Sequence, residues 1–101
     1  MEIELKKKAS SLIMKPIGEL SVYSVDEFKK CFAKEGTKSK KIEIDLSRIS
    51  RLDTAGFQVL LMTRCEAGRG DKTIRYVNPS DEVLRIFAIY QEKIEDWNTH
   101  E

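Results

Sequence analysis

The residues with the most chemistry to offer are Asp53 and Thr54, an acid followed by a hydroxyl, placed where a polar stretch gives way to the apolar run Ala55-Gly56-Phe57-Gln58-Val59-Leu60-Leu61-Met62. Such a junction reads as a helix start, where unpaired backbone N–H groups and the positive end of the macrodipole favour an acceptor or an anion. Thr54 can act there as a neutral cap. It can equally accept a phosphate, whose added charge of about −1.5 to −2 the dipole tolerates, so that the surface changes while the helix stays folded. Asp53 would then orient the hydroxyl or a bound cation. A plain Asp/Thr cap accounts for the same residues without any phosphate.

Nothing else in the chain completes a catalytic set. His100 is the only histidine and lies in a polar tail expected to fray, so neither Thr54 nor a cysteine has a histidine base. Cys31 and Cys65 are outside any metal-type spacing and fall on the expected apolar faces of two helices, which reads as reduced core thiols. No His/Cys cluster or paired acids suggest a metal site, and no cofactor or small-molecule substrate is expected. Gly68-Arg69-Gly70 is too short for a phosphate loop and reads as a helix stop. Lys38-Ser39-Lys40-Lys41 lacks the interleaved aromatics of a nucleic-acid surface. With 18 basic residues against 17 acidic ones, no global charge pulls the chain toward nucleic acid or anionic lipid. The segment Met1 to Lys8 has no signal-peptide core and no run reaches membrane length, so a cytoplasmic protein that does not insert in a membrane is expected.

The elements that must position Asp53 and Thr54 follow from periodicity. A chain of 101 residues, 41% hydrophobic and 35% charged, suits one globular domain. The reading is an arm or edge strand over 1–10, a domain over 11–97 and a frayed tail over 98–101. Lys6-Lys7-Lys8 reads as a solvated turn. Leu12 to Tyr23 reads as a bent strand pair, with Pro16 marking an edge or a break. Ser24-Val25-Asp26-Glu27 has capping-box form and starts a first helix with Phe28, Cys31 and Phe32 inward, stopped at Gly36 in a left-handed conformation. Lys41 to Ser47 alternates as a strand, and a short polar loop leads from it to Asp53.

In the second helix, steps of about 100° per residue place Phe57, Leu60, Leu61, Cys65 and Gly68 toward the sheet. Arg64 falls in that arc and must snorkel or find a partner. Gln58, Val59, Met62, Thr63 and Glu66 fall opposite, where Val59 and Met62 form either a docking face or a patch packed under a neighbouring loop. Thr73 to Val77 reads as a further strand. Asn78-Pro79-Ser80-Asp81 then opens a third helix, with proline at its first position and Val83, Leu84, Phe87 and Tyr90 as its core stripe. Ile94 and Trp97 are expected to fold the tail back. This alternation predicts an α/β domain with parallel crossovers and helices packed on one face of a small mixed sheet.

The stretch Leu52 to Leu61, Leu-Asp-Thr-Ala-Gly-Phe-Gln-Val-Leu-Leu, resembles the signature of the STAS family, named for sulfate transporters and anti-sigma-factor antagonists. Gly18-Glu19-Leu20-Ser21, Lys41 to Ser47, and Tyr76-Val77-Asn78-Pro79-Ser80 resemble further segments of that family in the same order, so the likeness runs from about Leu12 to Tyr90. It implies a single STAS-like domain with a four- or five-stranded mixed sheet. In function it implies a non-catalytic regulatory module, anti-sigma factor antagonist-like, with Thr54 phosphorylated by a partner serine/threonine kinase and cleared by a phosphatase. The implied partner surface is Ser21, Ser24, Asp53, Thr54, Ala55, Gly56 and Gln58, to which the helical pattern adds Val59 and Met62.

Ala55 and Ser21 depart from the sporulation-type pattern, which carries a second hydroxyl and an acid at those positions. The Asp-Thr-Ala-Gly form looks closer to stand-alone STAS proteins of chemotaxis or signalling clusters. The alternative implied by the resemblance is a constitutive STAS subunit of a bacterial lipid-transport ABC system, bound to its ATPase.

Overall fold

Alternation along Lys41 to Asp45 does produce a strand with Ile42 and Ile44 buried and Glu43 and Asp45 partly exposed on the other face. The computed structural model of the protein describes residues 1–70 and 72–98, so His100 and the last residues of the expected tail lie outside the described residues. In chain order the elements are β1 (Glu2–Lys8), β2 (Ser11–Leu20), α1 (Val25–Gly36), β3 (Lys41–Asp45), β4 (Ile49–Leu52), α2 (Thr54–Arg69), β5 (Thr73–Val77), α3 (Asp81–Ile89) and a 3-10 turn over Ile94–Asn98.

The five strands form one mixed sheet in the order β1-β2-β3-β5, with β4 pairing β2 beyond the end of β3. β1 and β2 are antiparallel with Leu5 opposite Met14, and every other pairing is parallel, the chain returning between them through a helix. Leu12, Met14, Ile42, Ile44, Ile74 and Tyr76 line the covered face and are almost completely buried. The alternate residues Glu4, Lys6, Ile13, Lys15, Glu43 and Asp45 border a shallow recess on the open face.

Several expectations need correction. Leu12 to Leu20 is one strand, not a strand pair. Pro16 is tolerated in it because it lies between the ladder to β3, which ends at Met14, and the ladder to β4, which starts at Gly18. At Gly18, with φ of 98°, the strand bends and its N–H bonds Arg48 O at 3.0 Å. Lys6, Lys7 and Lys8 belong to β1 rather than to a turn. The loop before Asp53 holds β4, whose four residues are too short and too polar to show periodicity. Gly36 is the last residue of α1 and not a left-handed stop, since the cap residue Thr37 is still helical at φ −65°. Pro79 precedes α3, and Ser80 is its cap, accepting from Val83 N at 3.2 Å.

The buried face of α2 is Gly56, Phe57, Val59, Leu60, Thr63 and Ala67. It is rotated from the predicted arc, so Cys65 and Gly68 are exposed and Val59 is in the core. Cys31 is half-buried, with burial pushing its thiol pKa up. The rotation has a polar cause. Thr63 can be fully buried because its hydroxyl donates to Leu60 O at 2.6 Å or to the Tyr76 hydroxyl at 2.7 Å, and two partners offset its desolvation. Burial drives the Tyr76 hydroxyl pKa upward, keeping it a neutral hydrogen-bonding group. Leu84 and Tyr90, expected inward on α3, are partly exposed, and Ile86 takes the buried place instead.

Ile94 and Trp97 do return the chain to the core. Trp97 is fully buried against Phe57, Tyr76 and Phe87, with ring centroids 5.9, 5.1 and 4.7 Å away. Arg64 finds its partner there, its guanidinium 5.4 Å from the Trp97 ring centre. Side chains also close two strand edges. The Asn98 amide exchanges bonds of 2.8 and 2.9 Å with the N–H and C=O of Tyr76 on β5. On β4, Ser80 Oγ donates to Ile49 O at 2.8 Å and Glu82 accepts from Leu52 N at 3.3 Å.

Candidate functional site

Thr54 is the first residue of α2, and Asp53 is the cap that starts the helix. Asp53 Oδ1 accepts from Gly56 N at 2.8 Å, so Thr54 is relieved of the capping role expected for it. Asp53 Oδ2 accepts from Val22 N at 3.0 Å, which ties the loop between β2 and α1 to the helix start. One carboxylate therefore orders two segments that are 31 residues apart. The Thr54 hydroxyl is exposed and lies 2.7 Å from the Tyr90 hydroxyl, while the Tyr90 ring stacks on Phe57 at 4.4 Å.

Gly56 permits this arrangement by close approach rather than by unusual backbone angles. A Cβ on it would fall 2.1 Å from Leu20 O and 2.7 Å from Leu52 Cδ1, so the start of α2 rests directly on the end of β2. The loop after Leu20 is held by its own hydroxyls. Ser24 Oγ donates to Glu19 O at 2.7 Å and accepts from Ser21 N at 3.0 Å, while Ser21 Oγ accepts from Tyr23 N at 3.2 Å. Ser24 is thereby drawn away from capping α1, and Glu27 bonds the N-terminal amine instead of closing a capping box.

Of the residues expected to form one surface, Thr54 and Gln58 are exposed and Asp53, Ala55 and Met62 are partly so. Ser21, Ser24, Gly56 and Val59 are buried, although Ser21 borders one surface recess and Val59 another. Val59 is 2% exposed because it packs into the core, and it reaches the surface only at the edge of a recess with Ala55, Gln58 and Met62. Met62 borders two recesses between α1 and α2, one of about 200 Å³ with Ala55 and Gln58 and one of about 370 Å³ with Phe32 and Ala67. Val22 and Tyr23 lie between Ser21 and Ser24, within the loop that the resemblance sets beside Thr54. They are 61% and 88% exposed, in the loop that Val22 N ties to Asp53. Two large apolar residues framed by the serines that fold a loop were the available sequence signal.

A second recess of about 200 Å³, lined by Glu19, Ser21, Arg51, Asp53, Glu82 and Arg85, lies on the polar side of the same loop. Glu82 and Arg85 pair at 2.9 Å, which holds the Glu82 carboxyl below its ordinary pKa. Among the described residues no group of His, Cys, Asp and Glu is arranged to hold a metal ion, and no helix is long and apolar enough to cross a membrane.

A sheet of this topology, crossed by helices on one face and carrying an Asp-Thr helix start beside the β2–α1 loop, defines a class. The family model described as MlaB, STAS domain matches residues 3–91. The chain therefore belongs to the STAS domain family. Its fold is similar to that of the Bacillus cell fate determinant SpoIIAA in its phosphorylated form, at 17% identity and a TM-score of 0.74 over 95% of this chain and 87% of that one. It is also similar to the Thermotoga maritima protein TM1081, at 19% identity and a TM-score of 0.74 over 95% and 85% of the two chains. Murine Slc26a9, an anion transporter, contains the fold as well, with 18% identity and a TM-score of 0.71 over 92% of this chain but 16% of that one. A search of curated proteins returned no match.

Proposed function

We propose that this chain is a non-catalytic regulatory module that docks a partner protein on the surface around Thr54, and that phosphorylation of Thr54 releases the partner. The observation that carries this reading is an exposed hydroxyl at the start of a long helix, in contact with Tyr90 and next to Asp53, whose carboxylate ties in the loop that exposes Val22 and Tyr23. Its relatives in fold support it, since SpoIIAA is an anti-sigma factor antagonist with phosphorylated and unphosphorylated forms. The partner would be an anti-sigma-type serine/threonine kinase, with a phosphatase to reset the module in the cytoplasm.

The release would be electrostatic. A phosphate on Thr54 takes the place of the Tyr90 contact and sets about two negative charges beside Asp53. Burying that charge against a partner carries a desolvation cost, and among the described residues the Thr54 hydroxyl is bonded to Tyr90 rather than to a cation that could offset it. The helix itself tolerates the phosphate, because the charge lies at its positive end.

A constitutive subunit of an ABC transporter, gripping the ATPase through the same surface, is the second reading. It is favoured by the family model's MlaB description and by the Thr54 hydroxyl already being engaged by Tyr90. Quantitative capture from native cells with wild-type, Thr54→Ala and Thr54→Glu baits separates the two. The switch predicts that Thr54→Glu loses the partner about tenfold or more while Thr54→Ala keeps it, and that intact mass shows a shift of about 80 Da mapped to Thr54. Equal capture by all three baits, with Thr54 never modified, would refute the switch and leave the constitutive subunit.

A further inference from the structure

β1 is an edge strand, with β2 on one side and no described strand on the other. Its residues Glu2, Ile3, Glu4, Leu5, Lys6, Lys7 and Lys8 divide by face. Ile3, Leu5 and Lys7 lie opposite Pro16, Met14 and Leu12 and so share the covered face of the sheet, whereas Glu2, Glu4, Lys6 and Lys8 share the open face with Ile17, Lys15, Ile13 and Ser11. Lysines on an edge ordinarily repel a neighbouring strand. Here the acids come first and the lysines last, so the order of charge matters more than their number.

We propose that β1 pairs antiparallel with β1 of a second copy of this chain, about a two-fold axis through Leu5, joining the two sheets into one. In that register Glu2 faces the partner's Lys8 and Glu4 faces the partner's Lys6, and the two-fold repeats both pairs in reverse. Leu5, which is 37% exposed, meets the partner's Leu5 on the other face. Every open-face charge then has an opposite sign across from it.

The alternatives lack this property. A shift of two residues in either direction sets Glu4 against the partner's Glu4 or Lys6 against the partner's Lys6, and a parallel in-register pairing sets like against like throughout. Directly opposed like charges destabilise a sheet and opposed unlike charges stabilise it, so the sequence of β1 selects one orientation and one register. Within the subunit Glu4 has one distant ionic neighbour, Lys15 at 3.9 Å, which shares the open face and does not compete for the edge.

Sedimentation velocity of the full chain over a range of concentrations at low salt tests the pairing. Wild type should show a monomer–dimer equilibrium that weakens as salt rises. Glu4→Lys alone and Lys6→Glu alone should each weaken the dimer about tenfold or more, because each change acts twice across the two-fold. The double variant Glu4→Lys/Lys6→Glu should dimerise again, and the two single variants mixed in equal amounts should form a mixed dimer. Circular dichroism of each variant confirms that the monomer remains folded. A wild type that stays monomeric at hundreds of micromolar, or a dimer indifferent to Glu4→Lys, would overturn the proposal.

Discussion

Replacing Gly56 by alanine sets two principles against each other and has a definite sign. Alanine is the better helix former by about 1 kcal/mol, so a reading based on propensity predicts that Gly56→Ala stabilises α2. The structure predicts the reverse. The new Cβ would fall 2.1 Å from Leu20 O and 2.7 Å from Leu52 Cδ1, and the first of these is backbone that cannot rotate aside. Reaching ordinary contact requires the start of α2 to retreat by about 1.3 Å from the end of β2. That movement strains the Asp53 bond to Val22 N, whose length of 3.0 Å leaves little to spare. Overpacking of this kind costs about 1–3 kcal/mol or more, and the weakened tie adds about 1. After the gain in propensity the net loss should be about 1–3 kcal/mol, a fall in Tm of about 5–20 °C for a domain this size. Urea titration followed by the fluorescence of Trp97, the only tryptophan, measures it directly. A Gly56→Ala variant as stable as wild type, or more stable, would refute the close-packing argument and with it the claim that this contact positions Thr54.

Asp53→Ala should cost about 2 kcal/mol by removing both the helix cap and the tie to Val22, with faster amide exchange at Val22 and Tyr23 than anywhere in β3; unchanged exchange there would show that the loop holds itself. The Lys7–Glu35 pair links β1 to α1 and holds the Glu35 carboxyl below its ordinary pKa, chiefly through the hydrogen bond from Lys7. A folded-state pKa that is depressed contributes stability above the carboxylate's unfolded value, and this is lost as pH falls through the folded one. Lys7→Met should therefore lower stability at pH 7 and match wild type at strongly acid pH, as thermal melts across that range would show. An equal deficit at both extremes would assign the effect to packing.

The parts of the molecule legible in the sequence were those governed by a single signal. Strict alternation marked β3, and β-branched and aromatic residues marked β5. The signature around Asp53 placed the functional helix, and the likeness of four short segments in order set the family. What escaped was decided between elements. β4 has no pattern of its own and exists because β2 continues past β3 and offers it an edge. The face of α2 was misjudged because Thr63 counts as polar until Tyr76 supplies its partner, and because Gly56 and Ala67 seal against the core by being small rather than by being apolar. Ser21 and Ser24 lie in the expected loop, but their hydroxyls are spent on folding it, while Val22 and Tyr23 between them are exposed.

The side chains that close the outer main chain of β4 and β5 have a consequence for how far this protein can assemble. Asn98 occupies the N–H and C=O of Tyr76, while Ser80 and Glu82 occupy β4 at Ile49 and Leu52. A sheet with two open borders can add copies at both and grow into a fibre, whereas one with a single open border can join once and is then complete. If β1 pairs as proposed, Asn98 would oppose a further addition on the β5 side at Tyr76. Its replacement by alanine is a change whose main effect would be on the length of the assembly rather than on the fold of the unit.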